Sequence, residues 1–251
     1  MFARKWILPT ILVLLAAAIC VRLGIWQLDR LAQRQAFNVH YASMIDLEPL
    51  ELPSSENLIE MEYRPVLVSG TYDFSQQVAI RNQYYLDQYG YHLLTPLVLS
   101  TGKVVLVDRG WIPSEGNSTR SGWDRYDKGA HSTVNGIIRI SRERADFTGN
   151  TDPELSPGQE GLDFWLFPNI KRIQEQVNYE LLPVYIQADP DPTEELPIPV
   201  QPQVEITEGP HLGYALQWFT FAGILLIGFP FYIRNQSRIS HEEDHSTVEE
   251  K

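Results

Sequence analysis

HLGYALQWFTFAGILLIGFPFYI, His211 to Ile233, is the stretch whose reading decides the architecture of this chain. From Leu212 onward it holds 22 residues dominated by apolar side chains. At about 1.5 Å of rise per helical residue they are long enough to cross a hydrocarbon core of roughly 30 Å. The stretch predicts a membrane-spanning helix over 211–233. Its first turn departs from a plain anchor, because His211, Tyr214, Ala215 and Trp218 recur at helical spacing. They share one face at the depth where water gives way to lipid.

A second apolar run stands at the other end: WILPTILVLLAAAICV, Trp6 to Val21, carried on by Leu23, Gly24, Ile25 and Trp26. Arg4 and Lys5 precede it, so a cleavable signal peptide is the competing interpretation. Ala16, Ala17 and Ala18 mimic a cleavage site and Cys20 a lipoprotein cysteine, yet Ile19 stands where a small residue is wanted and the run is long. A retained span over 6–26 is therefore expected. The five residues before it leave no room for a mitochondrial transit peptide, which points to a bacterial cell membrane. Two spans put both termini on one side. Arg4 and Lys5 before the first and Arg234 and Arg238 after the second assign that side to the cytoplasm. Arg22, Arg30 and Arg34 run against this orientation, but long loops translocate largely regardless of charge. The expected plan is a cytoplasmic N-terminus (1–5), a first span (6–26), a helical exit and linker (27–62), an extracytoplasmic domain (63–188), a Pro-rich linker (189–210), a second span (211–233) and a cytoplasmic tail (234–251).

The polar middle has its own sign. From Gln35 to His211 there are 12 Lys and Arg against 26 Asp and Glu, a balance of -14 within a chain of net charge -12. Such a domain repels phosphate backbones, which excludes a nucleic-acid role. The single cysteine, Cys20, lies in the first apolar run. One thiol can build neither an internal disulfide, nor a thiolate zinc site, nor a Cys-x-x-x-Cys copper carrier.

Taken in order, Arg22, Trp26, Arg30 and Arg34 are four apart and form a stripe where the first helix leaves the membrane. The stripe reads as an interfacial anchor, or as a cationic face for a carboxylate-bearing ligand or an acidic partner helix. Asp46 to Glu62, with Pro49 and Pro53, is an irregular linker. Strand-like runs then start at Tyr63, Gln76, Tyr91, Lys103 and His131, rich in β-branched and aromatic residues and bounded by turn formers. Ser100, Thr101 and Gly102 fit a hairpin. Because no helical repeat separates these strands, the middle is expected to be an α+β domain on an antiparallel β-sheet that could curl toward a barrel. Ser114 to Gly129 and Phe147 to Gly161 are expected surface loops, the first carrying Trp123 and Tyr126. Asp163 starts a short strand. Asn169 is an N-cap for a helix whose Ile170, Ile173, Val177 and Leu181 share a face, with Pro183 ending it before a last strand, VYIQA. Asp189 to Gln203 is an acidic, Pro-rich spacer, and the polar residues from Asn235 are expected to be disordered.

Catalytic motifs are missing. There is no Gly-x-Ser-x-Gly elbow, and His241 and His245, four apart, lie in a tail too polar and short to hold a fixed site, so a membrane-tethered hydrolase is disfavoured. His92 and His131 are single histidines within strands. Arg109, in DRGWIP, closes an apolar strand beside Gly110 and Trp111, with Asp108 or Asp73 as the expected ion-pair partner. His211 has the best claim of the histidines, since a neutral imidazole can bind haem iron axially and Tyr214 and Trp218 on its face suit a macrocycle. Gln217 and Thr220 add polarity that suits packing against another helix.

LGIWQLDRLAQR from Leu23, YRPVLVSGTYD from Tyr63, the block from Gly90 to Pro113 and HLGYALQWF from His211 together resemble the surfeit-locus family of cytochrome c oxidase assembly factors. The four blocks follow the family's order between two terminal spans. The resemblance implies a non-enzymatic assembly factor for haem–copper oxidase that helps haem a reach the catalytic subunit. The implied partners are that subunit, haem a synthase and the lipid bilayer. It matches His211 to the histidine heading the family's second span, and Gly24, Trp26, Gln27 and Arg30 to the exit of the first. Haem contacts are thus expected at His211, Tyr214, Trp218, Trp26, Arg30 and Arg34, and partner or structural roles at Gly24, Gln27, Arg109, Gly110 and Trp111. Asp108 stands where members commonly carry Asn, which argues against a ligand role there. Asn169 stands for a common Asp, with capping retained, and Arg34 for a frequent Lys. The alternative function is a membrane-anchored extracytoplasmic ligand-binding or sensory module.

Overall fold

The computed structural model describes residues 6–52, 57–143, 151–155, 159, 161–191, 193, 195–201 and 204–249, the stretch 237–249 by its backbone alone. In chain order the elements are α1 (Ile7–Ile45), β1 (Leu50–Glu51), β2 (Pro65–Tyr72), β3 (Val78–Tyr85), β4 (Gln88–Leu99), β5 (Val104–Pro113), β6 (His131–Ile140), β7 (Phe164–Trp165), α2 (Ile170–Ile173), β8 (Leu181–Ala188) and α3 (His211–Glu249). They form two units, a helix pair from residues up to His40 and from Glu205 onward, and a β domain over Tyr41–Val204.

In the helix pair, α1 and α3 are each long and apolar enough to cross a membrane. The 39 residues of α1 rise roughly 58 Å, nearly twice a bilayer core. The span expected at 6–26 and its helical exit are therefore one uninterrupted helix. Beyond Asn235, where composition predicts disorder, the backbone of α3 stays helical to Glu249. Extending an existing helix adds one hydrogen bond per residue fixed, without the cost of a new nucleus.

The β domain is a closed ring, β2-β6-β8-β5-β4 and back to β2, with β1, β3 and β7 attached outside it. Its seams are antiparallel, as expected, in four cases, and parallel only between β5 and β8. That exception is forced. Strand direction must alternate around an all-antiparallel ring, and an odd number of strands cannot close in alternation. Alternate residues from all the ring strands meet inside: Val66 and Val68, Leu97 and Leu99, Val105 and Val107, Val134 and Ile138, Val184 and Ile186. Small β-branched side chains suit so narrow an interior. The intervening residues of β4 and β5, Leu94, Val104 and Leu106, are buried too, under Trp165, Ile170 and Ile173. This double burial explains why β5 opens as an unbroken apolar run.

Three expectations change. The helix from Ile170 stops at Ile173, a 3-10 turn follows, and Leu181 already belongs to β8. Ile170, Ile173, Val177 and Leu181 are all buried as a helical face would have them, but a short burial pattern does not separate a helix from a turn followed by a strand. Pro183 lies exposed within β8 at a break in the register with β5, where its missing N–H costs no ladder bond. Ser114 to Gly129 is a loop, but its Trp123 is fully buried and, with Tyr126, covers Tyr91, Leu93 and Ile112. The Pro-rich spacer is not detached, because Ile198 pairs with Trp111. Asn169 caps α2 as expected, its side chain accepting from the Arg172 amide. Residues 1–5 and most of the second expected loop, Phe147 to Gly161, lie outside the described residues.

Candidate functional site

The two long helices touch along small residues. Ala17, Cys20 and Gly24 are the buried positions of α1, while Ala215 and Ala222 are those of α3. Their spacing of three, four and seven keeps them on one line per helix. A Cβ at Gly24 would lie 2.7 Å from the Phe219 ring, so glycine is what admits that ring against the backbone. The antiparallel sense follows from the contacts at either end: Trp6 meets Tyr232 edge to face at 6.0 Å, and Gln27 meets His211.

The Gln27–His211 contact is the chemical centre of the pair. His211 Nδ1 lies 2.8 Å from Gln27 Oε1. An amide oxygen only accepts, so Nδ1 carries a proton and donates, and in the neutral form of the ring the lone pair falls to Nε2. Gly209 lies beside that edge, where an added Cβ would stand in ordinary contact, 3.5 Å from His211 Nε2. Gly209 has φ +66°, a conformation glycine adopts without strain. A fixed tautomer with an accessible second nitrogen is how ligating histidines are prepared for metal. The residues present fit a histidine that could hold a haem iron.

The α1 residues that follow hold the chain entering α3. Arg34 Nε donates to Thr207 O at 2.9 Å and its Nη2 to Glu205 O, Asn38 Nδ2 donates to Thr207 O at 3.2 Å, and Gln35 Nε2 to Glu208 Oε1 at 3.0 Å. Arg34 thus spends its donors on backbone carbonyls. Arg30 lies over Trp26 at 5.7 Å and donates to Gln33, and Trp26 and Tyr214 stay 42 % and 49 % exposed. Trp218 is half-buried against Phe221. Of the expected haem residues, the structure brings His211 to the helix seam, with Gln27 as its partner, and leaves Trp26, Arg30 and Tyr214 on outward surfaces. The seam was readable in the sequence as the run of small residues Ala17, Cys20 and Gly24, continued by Gln27.

The residues of DRGWIP fasten the β domain. Arg109 pairs with Asp127 at 3.7 Å, not with Asp108 or Asp73, donates to Tyr126 O, and lies over Phe74 at 4.8 Å and Tyr72 at 5.3 Å. Burial lowers the pKa of the guanidinium, against the opposing pull of Tyr72 and Asp127, and burial also raises that of Asp127. Gly110 has φ +119°, and a Cβ on it would run into the carbonyl of Ile198. Trp111 exchanges backbone hydrogen bonds with Ile198 at 2.7 and 2.9 Å. The motif clamps the 114–130 loop and the Pro-rich spacer to the barrel.

Asp108 is engaged elsewhere. Both of its oxygens lie near His92 Nδ1, at 2.9 and 3.1 Å, and one also accepts from the Gly110 amide at 3.0 Å. Burial opposes a charge on His92, but the Asp108 charge and hydrogen bond outweigh it, and the pKa is raised. A raised folded-state pKa adds stability that is fully present below the unfolded value near 6.5 and is lost as pH climbs through the folded value. The thermal midpoint of the solubilised chain should therefore fall from about pH 6 to pH 8, and His92→Gln should flatten the slope. Equal slopes in the two proteins would assign the dependence to other groups.

A small closed barrel tied to a pair of membrane-length helices, with an oriented imidazole held at the seam of those helices, defines a helix-anchored β-barrel protein. Among known proteins, the SURF1 family matches residues 14–223. The SURF1-like protein of Caenorhabditis briggsae is 26 % identical over 255 residues, covering 89 % of this chain and 74 % of that one. Surfeit locus protein 1 of Mus musculus is 26 % identical over 223 residues, 82 % of this chain and 69 % of that one. The SURF1-like protein of Rickettsia felis is 24 % identical over 232 residues, 90 % and 96 % of the two chains. The chain belongs to the SURF1 family.

Proposed function

We propose that this protein is a non-enzymatic membrane assembly factor for haem–copper cytochrome c oxidase, and that it assists delivery or insertion of haem a into the catalytic subunit. The observation that carries the haem side is the Gln27–His211 hydrogen bond, which leaves His211 Nε2 without a partner among the described residues, beside the glycine at 209. Haem a, when bound, would supply an iron that the imidazole of His211 could hold. Family membership supports the oxidase side. In this reading the barrel domain lies outside a bacterial cell membrane, both termini are cytoplasmic, and haem a synthase is a second partner. Arg30, free of backbone carbonyls, is better placed than Arg34 to meet an acidic group.

The test has two arms. The detergent-solubilised protein should shift the Soret band of added haem a, His211→Ala should abolish the shift, and Gln27→Leu should weaken binding by about tenfold. An unchanged spectrum in His211→Ala removes His211 as a ligand. Deleting the gene should lower the spectrally assayed haem a-containing oxidase while other haem enzymes persist, and a normal oxidase level would sink the assembly role.

A further inference from the structure

His92 and Asp108 do more than fill the barrel wall. They line a cavity of about 720 Å³ that opens between β3, β4, β6, β8 and the segment 166–168. With Nδ1 of His92 donating to Asp108, the other ring nitrogen, Nε2, has no partner among the described residues and is not sealed by packing. Arg142 stands exposed at the same cavity, and its guanidinium has no ion-pair partner among the described residues. Arg139 lines the cavity too, paired with Glu62 at 3.2 Å and Gln187 at 2.9 Å. Leu94, Leu166, Phe167 and Val200 give the wall an apolar part, beside a polar one that includes Arg81, Asn82, Gln83 and Gln187.

We propose that this cavity is a binding site for an organic anion with an apolar body, whose carboxylate is met by His92 and Arg142. The charge inventory selects that class. Asp108, the carboxylate among the lining residues, is already bonded to His92 and the Gly110 amide. The remaining ionisable lining is the arginines Arg81, Arg139 and Arg142 and two tyrosines, Tyr84 and Tyr185, of which burial pushes the Tyr185 pKa up to about 12, so that it remains a neutral donor. The carboxylate of Asp108 favours the protonated ring, which makes Nε2 a donor toward an incoming anion. A cation would find no carboxylate to spare there, and a ligand without charge would leave the arginine and imidazole unanswered. The site lies wholly in the β domain and does not depend on the haem reading.

The experiment uses the full chain in lipid nanodiscs with 15N-labelled histidine, titrated with 4-phenylbutyrate, an apolar body ending in a carboxylate. His92 is assigned by the signal lost in His92→Gln. Titration should move the His92 ring resonances. The neutral 4-phenylbutyramide should bind roughly tenfold more weakly, as should the carboxylate to Arg142→Gln. Arg142 is at the surface, so its variant keeps the fold, and an unchanged His92 signal before titration verifies that. An unmoved His92 signal at saturation, equal binding of the amide, or full affinity in Arg142→Gln would each overturn the proposal.

Discussion

Truncation of Trp123 to alanine is expected to destabilise the β domain by about 3–5 kcal/mol, the range for removing a fully buried large aromatic side chain. In the sequence this residue sits in SEGNSTRSGWDRYDKG, a polar, Gly-rich stretch where a substitution would ordinarily cost within about 0.5 kcal/mol. The structure reverses that expectation. Trp123 has no solvent exposure, packs edge to face on Phe164 at 5.3 Å, and donates its indole N–H to Asn117 O at 3.0 Å. Two local supports hold it there. Asn117 Nδ2 donates to Pro113 O at 2.6 Å, and Tyr126, which donates its amide to Trp123 O, covers the same patch. Urea unfolding of the solubilised chain, followed through the buried Trp111 and Trp165, measures the loss. A change below about 1 kcal/mol would mean that the loop does not cover the barrel in solution.

Replacement of Gly110 by alanine should cost about 2–4 kcal/mol, for a different reason. Its φ of +119° is strained for any residue with a Cβ, and that Cβ would meet the Ile198 carbonyl and displace the spacer from Trp111. Gly102 supplies the control. Its φ is +82° and an added Cβ would meet nothing within 4 Å, so alanine there should cost only the backbone term, about 1 kcal/mol. Hydrogen exchange localises the difference: the Trp111 and Ile198 amides should lose protection in Gly110→Ala and keep it in Gly102→Ala. Equal costs at both sites would show that the close approach of the spacer carries no weight.

How much of this was legible depended on the range of the interaction. The long helices were, because a run such as Leu212 to Ile233 states its environment in its own composition. The strands were too, since Val104 to Val107 and its neighbours carry local β preference. The ring was only half legible. Alternation places side chains on faces, but which strand lies beside β5 is settled by chain passages from residue 113 to residue 181, and local pattern is silent about them. The site divides in the same way. His211 stands out as a lone imidazole at a helix start. The stripe of Trp26, Arg30 and Arg34 suggests its partner, whereas the helices approach through Ala17, Cys20 and Gly24 and so present Gln27. Small side chains decide where two helices come closest, and large ones are turned away from that line. Arg109 stands out in its motif, but its partner Asp127 lies in a loop whose fold no periodicity announces.

The parallel seam of the barrel also sets an order of assembly. β8 lies between β6 and β5, both of which precede it in the chain. Until residues 181–188 emerge from the ribosome, β5 and β6 each keep a bare edge of unpaired N–H and C=O groups, ready to pair with any strand that arrives. α1 is synthesised long before that moment, and α3 begins 23 residues after β8 ends, at His211. The barrel therefore closes only in the last phase of synthesis. Throughout its half-built stage, the chain's first apolar helix is already available to tether it.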